Sequence, residues 1–167
     1  LDTFNKIVLT EYNITTTSIN EVPAKGKLDK IEFNGKECII VDYKTGSPEY
    51  STKKELLGPT DDNPKGGNYW RQMVFYKLLL ENFYPSSGWI MTAGVFDFIE
   101  KNKEGTYQRF TIPIQEHDLA FVKEQIKEVY SSIMNHEFEQ GCNDKKCRWC
   151  NFAKTYQLGA PLAIDID

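Results

Sequence analysis

No stretch of this sequence approaches the length of an apolar transmembrane run, and no signal peptide is visible, so no membrane role is expected. Cysteine is scarce: of four, three come late (Cys142, Cys147, Cys150), which is unlike the framework of a secreted disulfide-rich domain. An intracellular, cytoplasmic setting fits that better. Positive charge is also short. Twenty Lys and Arg face 24 Asp and Glu, a formal −4, which argues against a nonspecific basic nucleic-acid binder. It leaves room for a local basic groove, because acidic site residues and an acidic tail (Asp165, Asp167) supply part of the deficit. No internal repeat is present. What remains is 167 residues, 40% hydrophobic and 13% aromatic, enough for one domain with a real core. The chain begins at Leu1 without a Met and opens on strand-like sequence, as a fragment of a longer protein would.

The most informative segment runs from Gly26 to Gly46. Asn34-Gly35 between two β-prone runs is a strong hairpin signal, because a tight loop needs residues that accept positive φ. With these two as the loop, Phe33 pairs with Lys36, Ile31 with Cys38, Asp29 with Ile40 and Leu28 with Val41. Side chains alternate along a strand, so one face carries Asp29, Ile31, Phe33, Cys38, Ile40, Asp42 and Lys44. Its open end holds two carboxylates and an ammonium. Asp29 and Asp42 become diagonal neighbours, with Cβ atoms roughly 7–8 Å apart or a little less. Two carboxylates at that distance can share a divalent cation, and oxygen ligands suit Mg²⁺ or Mn²⁺. The plainer alternative is a surface ion pair between Asp42 and Lys44 at a strand end. Against it, Asp42 closes the apolar run Ile39-Ile40-Val41, and Asp29 falls on its face.

Around this hairpin, Ile7–Ile14 reads as a strand with Glu11 in its middle. Ser47–Asn68, rich in Gly, Pro, Asp and Lys, reads as a long mobile loop carrying Lys53, Lys54 and Lys65. Tyr69–Phe83 is predicted helical and is ended by Pro85. Trp89–Glu100 and Thr106–Ile114 are predicted strands. His117 to about Met134 is an amphipathic helix with Val122, Ile126, Val129 and Ile133 on one stripe. The tail after His136 reads as irregular. Strands, helix, strands, helix imply an α/β (α+β) class with a central sheet. In the first helix, Gln72 and Tyr76 lie one turn apart on the face of Tyr69 and Phe83. An aromatic stripe at this spacing is commonly core, with Gln72 a satisfied polar residue at its edge. The competing arrangement sets this face against the sheet beside Lys44, where Gln72 holds the lysine or a phosphate and Tyr76 touches the strand. Arg71 is expected to be exposed and able to bind phosphate.

Three pieces, in order and at fitting spacing, resemble the PD-(D/E)xK nuclease superfamily. They are Gly26-x-x-Asp29-x-Ile31, Val41-Asp42-Tyr43-Lys44-Thr45-Gly46, and Gln72-x-x-x-Tyr76. More closely, they resemble the RecB-like nuclease domains attached to bacterial repair helicases of the UvrD/Rep or AddAB type. The resemblance covers about residues 8 to 156 and implies a restriction-endonuclease-like core, a central mixed β-sheet flanked by helices. On it, residues 1–156 form the nuclease domain and 157–167 a tail. It implies that Asp29, Asp42 and the Tyr43 backbone carbonyl hold Mg²⁺ or Mn²⁺. Lys44 is the catalytic lysine, and Gln72 and Tyr76 are auxiliary. Glu11 corresponds to a glutamate on the preceding strand, a possible accessory group. Arg71, Tyr76, Lys53 and Lys54 are candidates for DNA contact. The implied substrate is DNA, single-stranded, with a helicase motor in the same chain or a partner subunit. The implied activity is phosphodiester hydrolysis, exonucleolytic more than endonucleolytic, in bacterial repair or recombination.

Two departures stand out. Many RecB-like domains carry a metal-binding His on a helix before the first strand. This chain starts too late to include that helix, and neither His117 nor His136 matches the position, so an incomplete metal site and weakened activity are expected. Second, Cys142-x4-Cys147-x2-Cys150 resembles the C-terminal part of an iron–sulfur staple, but Tyr156 stands where its last Cys belongs. Cys38 is a poor fourth ligand on an apolar face. Reduced thiols are the favoured state, over zinc, with His136 as a paper fourth ligand, or an iron–sulfur cluster. Two other function classes stay open: a noncatalytic DNA-binding or structural module of a helicase, and an unrelated metal-dependent hydrolase of small phosphates.

Overall fold

The computed structural model describes residues 7–46, 53–83, 85–137 and 145–155. Two compact units divide the chain, Leu1–Ile126 and Lys127–Asp167. The first is built on five strands in spatial order of sequence: β1 (Ile7–Ile19), β2 (Val22–Asn34), β3 (Glu37–Lys44), β4 (Ile90–Lys101) and β5 (Tyr107–Pro113). All neighbours are antiparallel except β3 and β4, which run parallel. A parallel pair needs a crossover, and the sequence supplies one: a single-turn helix α1 (Lys53–Leu56) and then α2 (Asn68–Phe83). The central strand β3 buries Ile40 and Val41 on opposite faces, which explains its continuous β-branched run.

α2 lies across the face that carries Ile31, Ile40 and Phe96, and buries Met73, Val74, Leu78, Leu79 and Leu80 with them. Two glycines let it approach. A Cβ on Gly94 would sit 2.5 Å from Met73, and one on Gly26 2.5 Å from Leu79. The N-terminus of α2 is capped from α1, where Glu55 Oε2 accepts the Asn68 N–H at 2.8 Å. Inside α2, Lys77 is buried, donating to the Met91 carbonyl at 2.7 Å and pairing with Glu81 at 2.8 Å, which fastens the helix to the start of β4. The second long helix, α3 (Glu116–Met134), is opened by Asp118, whose carboxylate accepts the Gln115 N–H. Its first half puts Leu119 and Val122 into the core, with Phe121 6.1 Å from Trp70.

Several expectations are corrected. The β2–β3 turn centres on Gly35-Lys36, not Asn34-Gly35, and only Gly35 takes positive φ (65°), as the first position of a type II′ loop requires. Phe33 therefore pairs with Cys38, Ile31 with Ile40, and Lys30 with Val41. β1 runs on to Ile19 and closes on β2 through Asn20 and Glu21, both at positive φ (49° and 67°), a tight turn without the usual glycine. Residues 53–67, expected within a mobile loop, hold α1 and a Thr60–Asn63 bridge; residues 47–52 lie outside the described set. In the second unit, Val129 and Ile133 are exposed rather than part of a buried stripe. A short helix α4 (Arg148–Thr155) stands where irregular chain was expected. Residues 157–167 lie outside the described set, and no described helix is long and apolar enough to cross a membrane.

Candidate active site

Asp42 sits near the C-terminal end of the central strand, on the face beneath α2, with its side chain 5% exposed. A carboxylate so buried must be compensated, and three side chains do it. Lys44, two residues on and so on the same face, sets Nζ 2.8 Å from Asp42 Oδ2. Gln72 on α2 donates Nε2 to Asp42 Oδ1 at 2.9 Å and accepts from Lys44 Nζ at 2.9 Å. One turn later, Tyr76 donates its hydroxyl to the same Oδ1 at 3.0 Å and accepts from Gln72 Nε2 at 2.7 Å. The amide orientation of Gln72 is fixed by this circuit: reversed, its NH₂ would face an ammonium. Burial, with the Asp42 charge second, pushes the Tyr76 hydroxyl well above the ordinary tyrosine value, so it remains a donor.

Two aromatic rings complete the surroundings of the lysine. Lys44 Nζ lies 5.2 Å from the Tyr69 ring centroid and 5.0 Å from that of Phe96, and the two rings are 4.7 Å apart. Phe96 arrives through the parallel register, in which Asp42 pairs with Phe96. That pairing was not readable from sequence, although Tyr69 lay on the expected helix face.

Asp29 approaches from the neighbouring strand. The β2–β3 ladder ends at Lys30–Val41; continued by one rung, it would set Asp29 opposite Asp42 rather than diagonal to it. Instead of pairing through its backbone, Asp29 accepts the Tyr43 N–H on Oδ2 at 3.0 Å. The side chain thus takes the place of a strand carbonyl where β2 leaves β3. Asp29, Asp42 and the Tyr43 main chain are thereby gathered at one strand end. Gly26, the first residue of the Gly-x-x-Asp motif, has a packing role, since Leu79 occupies the space a Cβ would need.

The remaining candidates fall elsewhere. Glu11 is exposed and forms an ion pair with Lys27. Arg71 is partly buried rather than free, donating to the Lys65 carbonyl at 3.0 Å and to Asn68 Oδ1 at 2.5 Å, so it braces the segment before α2. Lys54 is exposed on α1, and Lys53 belongs to the same turn. Cys147 and Cys150 are partly buried at the start of α4, and Cys142 lies outside the described residues. Cys38 is buried in the core, and burial raises its thiol to about 11, which suits packing rather than ligation.

The side-chain oxygen donors gathered here are the carboxylates of Asp29 and Asp42. Among the described residues no group of three or more His, Cys, Asp or Glu side chains gathers into a cage. A set of this size fits Mg²⁺ or Mn²⁺, which bind through one or two carboxylates and keep several waters, better than a closed zinc or calcium site.

Comparison with known proteins reaches the level of family. No curated protein matches the chain. Among solved structures, the crystal structure of SSO0001 aligns with 92% of this chain at 17% identity and a TM-score of 0.45. This chain spans 60% of that protein's length. The family model described as PD-(D/E)XK nuclease superfamily matches residues 5–155, a span that takes in nearly the whole chain. The chain belongs to the PD-(D/E)XK nuclease superfamily.

Proposed function

We propose that this chain is a metal-dependent deoxyribonuclease domain that hydrolyses phosphodiester bonds at Asp29, Asp42 and Lys44. The observation that carries this reading is the Asp42 carboxylate, held almost dry by Lys44, Gln72 and Tyr76 at the strand end where Asp29 also arrives. Asp29, Asp42 and the Tyr43 carbonyl would hold the cation. Bound there, Mg²⁺ or Mn²⁺ supplies a Lewis acid for a phosphoryl oxygen and acidifies a coordinated water. Lys44 has three N–H donors, two of them engaged by Asp42 and Gln72 among the described residues. The third is available to orient the attacking water and to offset charge on the pentacovalent phosphorus. Gln72 and Tyr76 fix the carboxylate and the ammonium before substrate arrives, which lowers the reorganisation needed at the chemical step.

The finer reading is a RecB-like domain working beside a helicase motor, in the same chain or a partner, on single-stranded DNA and from an end. Its support is the order and spacing of the Gly26–Asp29, Asp42–Lys44 and Gln72–Tyr76 pieces. Backbone contacts give no base information, so little sequence preference is expected. The test is cleavage of end-labelled and circular single-stranded DNA with Mg²⁺ or Mn²⁺ by wild type, Asp42→Ala and Lys44→Ala. Loss of cutting in both variants is the expected result, and preference for the end-labelled linear strand supports an exonuclease. Equal cutting by wild type and both variants would place the chemistry elsewhere.

A further inference from the structure

Glu11 has the one left-handed backbone found within the body of a described strand. Its φ is +53° in the middle of β1, although glutamate has no special tolerance of that region. The β1–β2 ladder breaks at the same level. Thr10 pairs with Lys30 and Tyr12 with Leu28, on one unbroken register, yet the rung between them, Glu11 with Asp29, is missing. Neither strand gains a residue, so this is not an ordinary bulge. Both strands instead change phase. On β1 the partly buried residues step from Leu9 to Tyr12, and on β2 the fully buried ones step from Ile31 to Leu28, three residues where a flat strand allows two. The pair of strands turns a corner at Glu11 and Asp29.

That corner is what releases Asp29. Its main chain pairs with neither neighbouring strand, and its carboxylate bonds to the Tyr43 N–H. On a flat β2, the phase of Ile31 would not carry past Asp29 to a buried Leu28, and the ladder with β3 would continue through Asp29. We infer that Glu11 is a positioning residue that acts through its backbone: its left-handed conformation turns the β1–β2 corner and aims the Asp29 carboxylate at the Tyr43 amide and the cation site. The side chain is not the working part, because it points to solvent and pairs with exposed Lys27. Local strain of this kind persists where surrounding structure over-determines it, here by Leu28 and Ile31 buried on either side.

The aim toward a cation rests on the nuclease reading, so the test has one arm that does not. Amide hydrogen exchange at Tyr43 in the metal-free full chain reports the Asp29 bond directly, and Mn²⁺ calorimetry and single-stranded DNA cleavage report the site. Glycine accepts positive φ freely, whereas valine resists it. Glu11→Val is expected to lower Tyr43 protection and Mn²⁺ affinity at least tenfold, toward the values of Asp29→Ala. Glu11→Gly, which lacks the carboxylate but keeps the backbone, restores both to within about threefold of wild type. If Glu11→Gly loses Tyr43 protection as Asp29→Ala does, or if Glu11→Val keeps it, the inference is overturned. Thermal unfolding of each variant separates a misaimed Asp29 from a collapsed sheet, and the Glu11→Gly arm decides even where Glu11→Val does not fold. Should wild type cut no DNA, the nuclease reading fails while the exchange result still decides the role of Glu11.

Discussion

Replacing Lys44 by methionine should destabilise the metal-free protein by an amount set by the burial of its partner. The Lys44–Asp42 pair is 2.8 Å long, with side-chain exposures of 21% and 5%. Breaking a fully buried pair costs about 3–5 kcal/mol, because the remaining charge is stranded. A fully exposed pair is worth about 0.2–1 kcal/mol. Asp42 is at the first limit, but it keeps Gln72 and Tyr76 as donors, and Lys44 is one-fifth exposed. An intermediate cost of about 2 kcal/mol follows, and losing the two ring contacts of the ammonium adds about 0.5 kcal/mol. Methionine keeps the apolar stem in place, so packing contributes little to the difference.

Urea unfolding in chelator, followed by tryptophan fluorescence, measures this, and the corresponding fall in Tm is about 5–10 °C for a chain of this size. The origin of the loss is checked by a double-mutant cycle. Asp42→Asn removes the charge that Lys44→Met strands, so the double variant should recover at least about 1 kcal/mol relative to the sum of the singles. Two results refute the reasoning. One is a Lys44→Met protein within about 0.5 kcal/mol of wild type, the size of an ordinary surface change. The other is strict additivity in the cycle, which would mean the carboxylate is solvated through a route that this geometry does not contain.

Three further changes probe the frame that holds the site. Gly94→Ala puts a methyl group 2.5 Å from Met73 Cγ and Sδ and 2.8 Å from its Cβ, so α2 must lift; a loss of about 1–3 kcal/mol by denaturant unfolding is expected. Glu21→Gly relieves a left-handed glutamate in the β1–β2 turn and should raise stability by about 1 kcal/mol on the same assay. Cys38 and Tyr76 both have raised pKa values, the thiol going from 9.0 to about 11 chiefly through burial. As pH climbs past 9, the unfolded chain releases these protons while the native one retains them. The native state then binds more protons, and stability must fall with rising pH. Urea midpoints between pH 8 and 10.5 should show this decline in wild type and a shallower one in Cys38→Val, and Cys38 should resist thiol reagents at pH 8 until the protein unfolds.

The candidate site was legible from sequence largely because of parity. The expected hairpin register paired Ile31 with Cys38, and the true one pairs it with Ile40. A slip of two in the partner keeps every side chain on its face, so Asp42, Lys44 and the apolar set stayed together although the turn was misassigned; a slip of one would have scattered them. Gln72 and Tyr76 were legible for a similar reason, since helical spacing fixes which residues share a face whatever the boundaries. The parts that were not legible depend on contacts between distant segments. Phe96 reaches Lys44 only through the parallel β3–β4 pairing. The corner at Glu11 joins two strands that each read as regular by themselves. Arg71 looked free because the carbonyl of Lys65, which binds it, is invisible in a one-dimensional pattern.

α2 carries two buried polar arrangements, and comparing them separates scaffold from site. Lys77 meets the Met91 carbonyl and Glu81, a residue one turn away on its own helix and one-third exposed. Its partners are satisfied within the helix and the adjoining strand, and its effect is to pin one to the other. The other arrangement gathers Asp42, Lys44, Gln72 and Tyr76 from two elements, with Tyr69 and Phe96 around the ammonium. Folding alone does not need it, because a buried ion pair is often matched or bettered by apolar side chains of similar volume, and apolar neighbours are already at hand. The second acid bears on the same distinction. Asp29 belongs to no strand ladder at its own position and spends its carboxylate on one N–H of β3, an arrangement that a backbone carbonyl on a flat strand would supply at less cost. The left-handed Glu11 and the missing rung lie level with Asp29, so the local strain of this fold falls beside the proposed site.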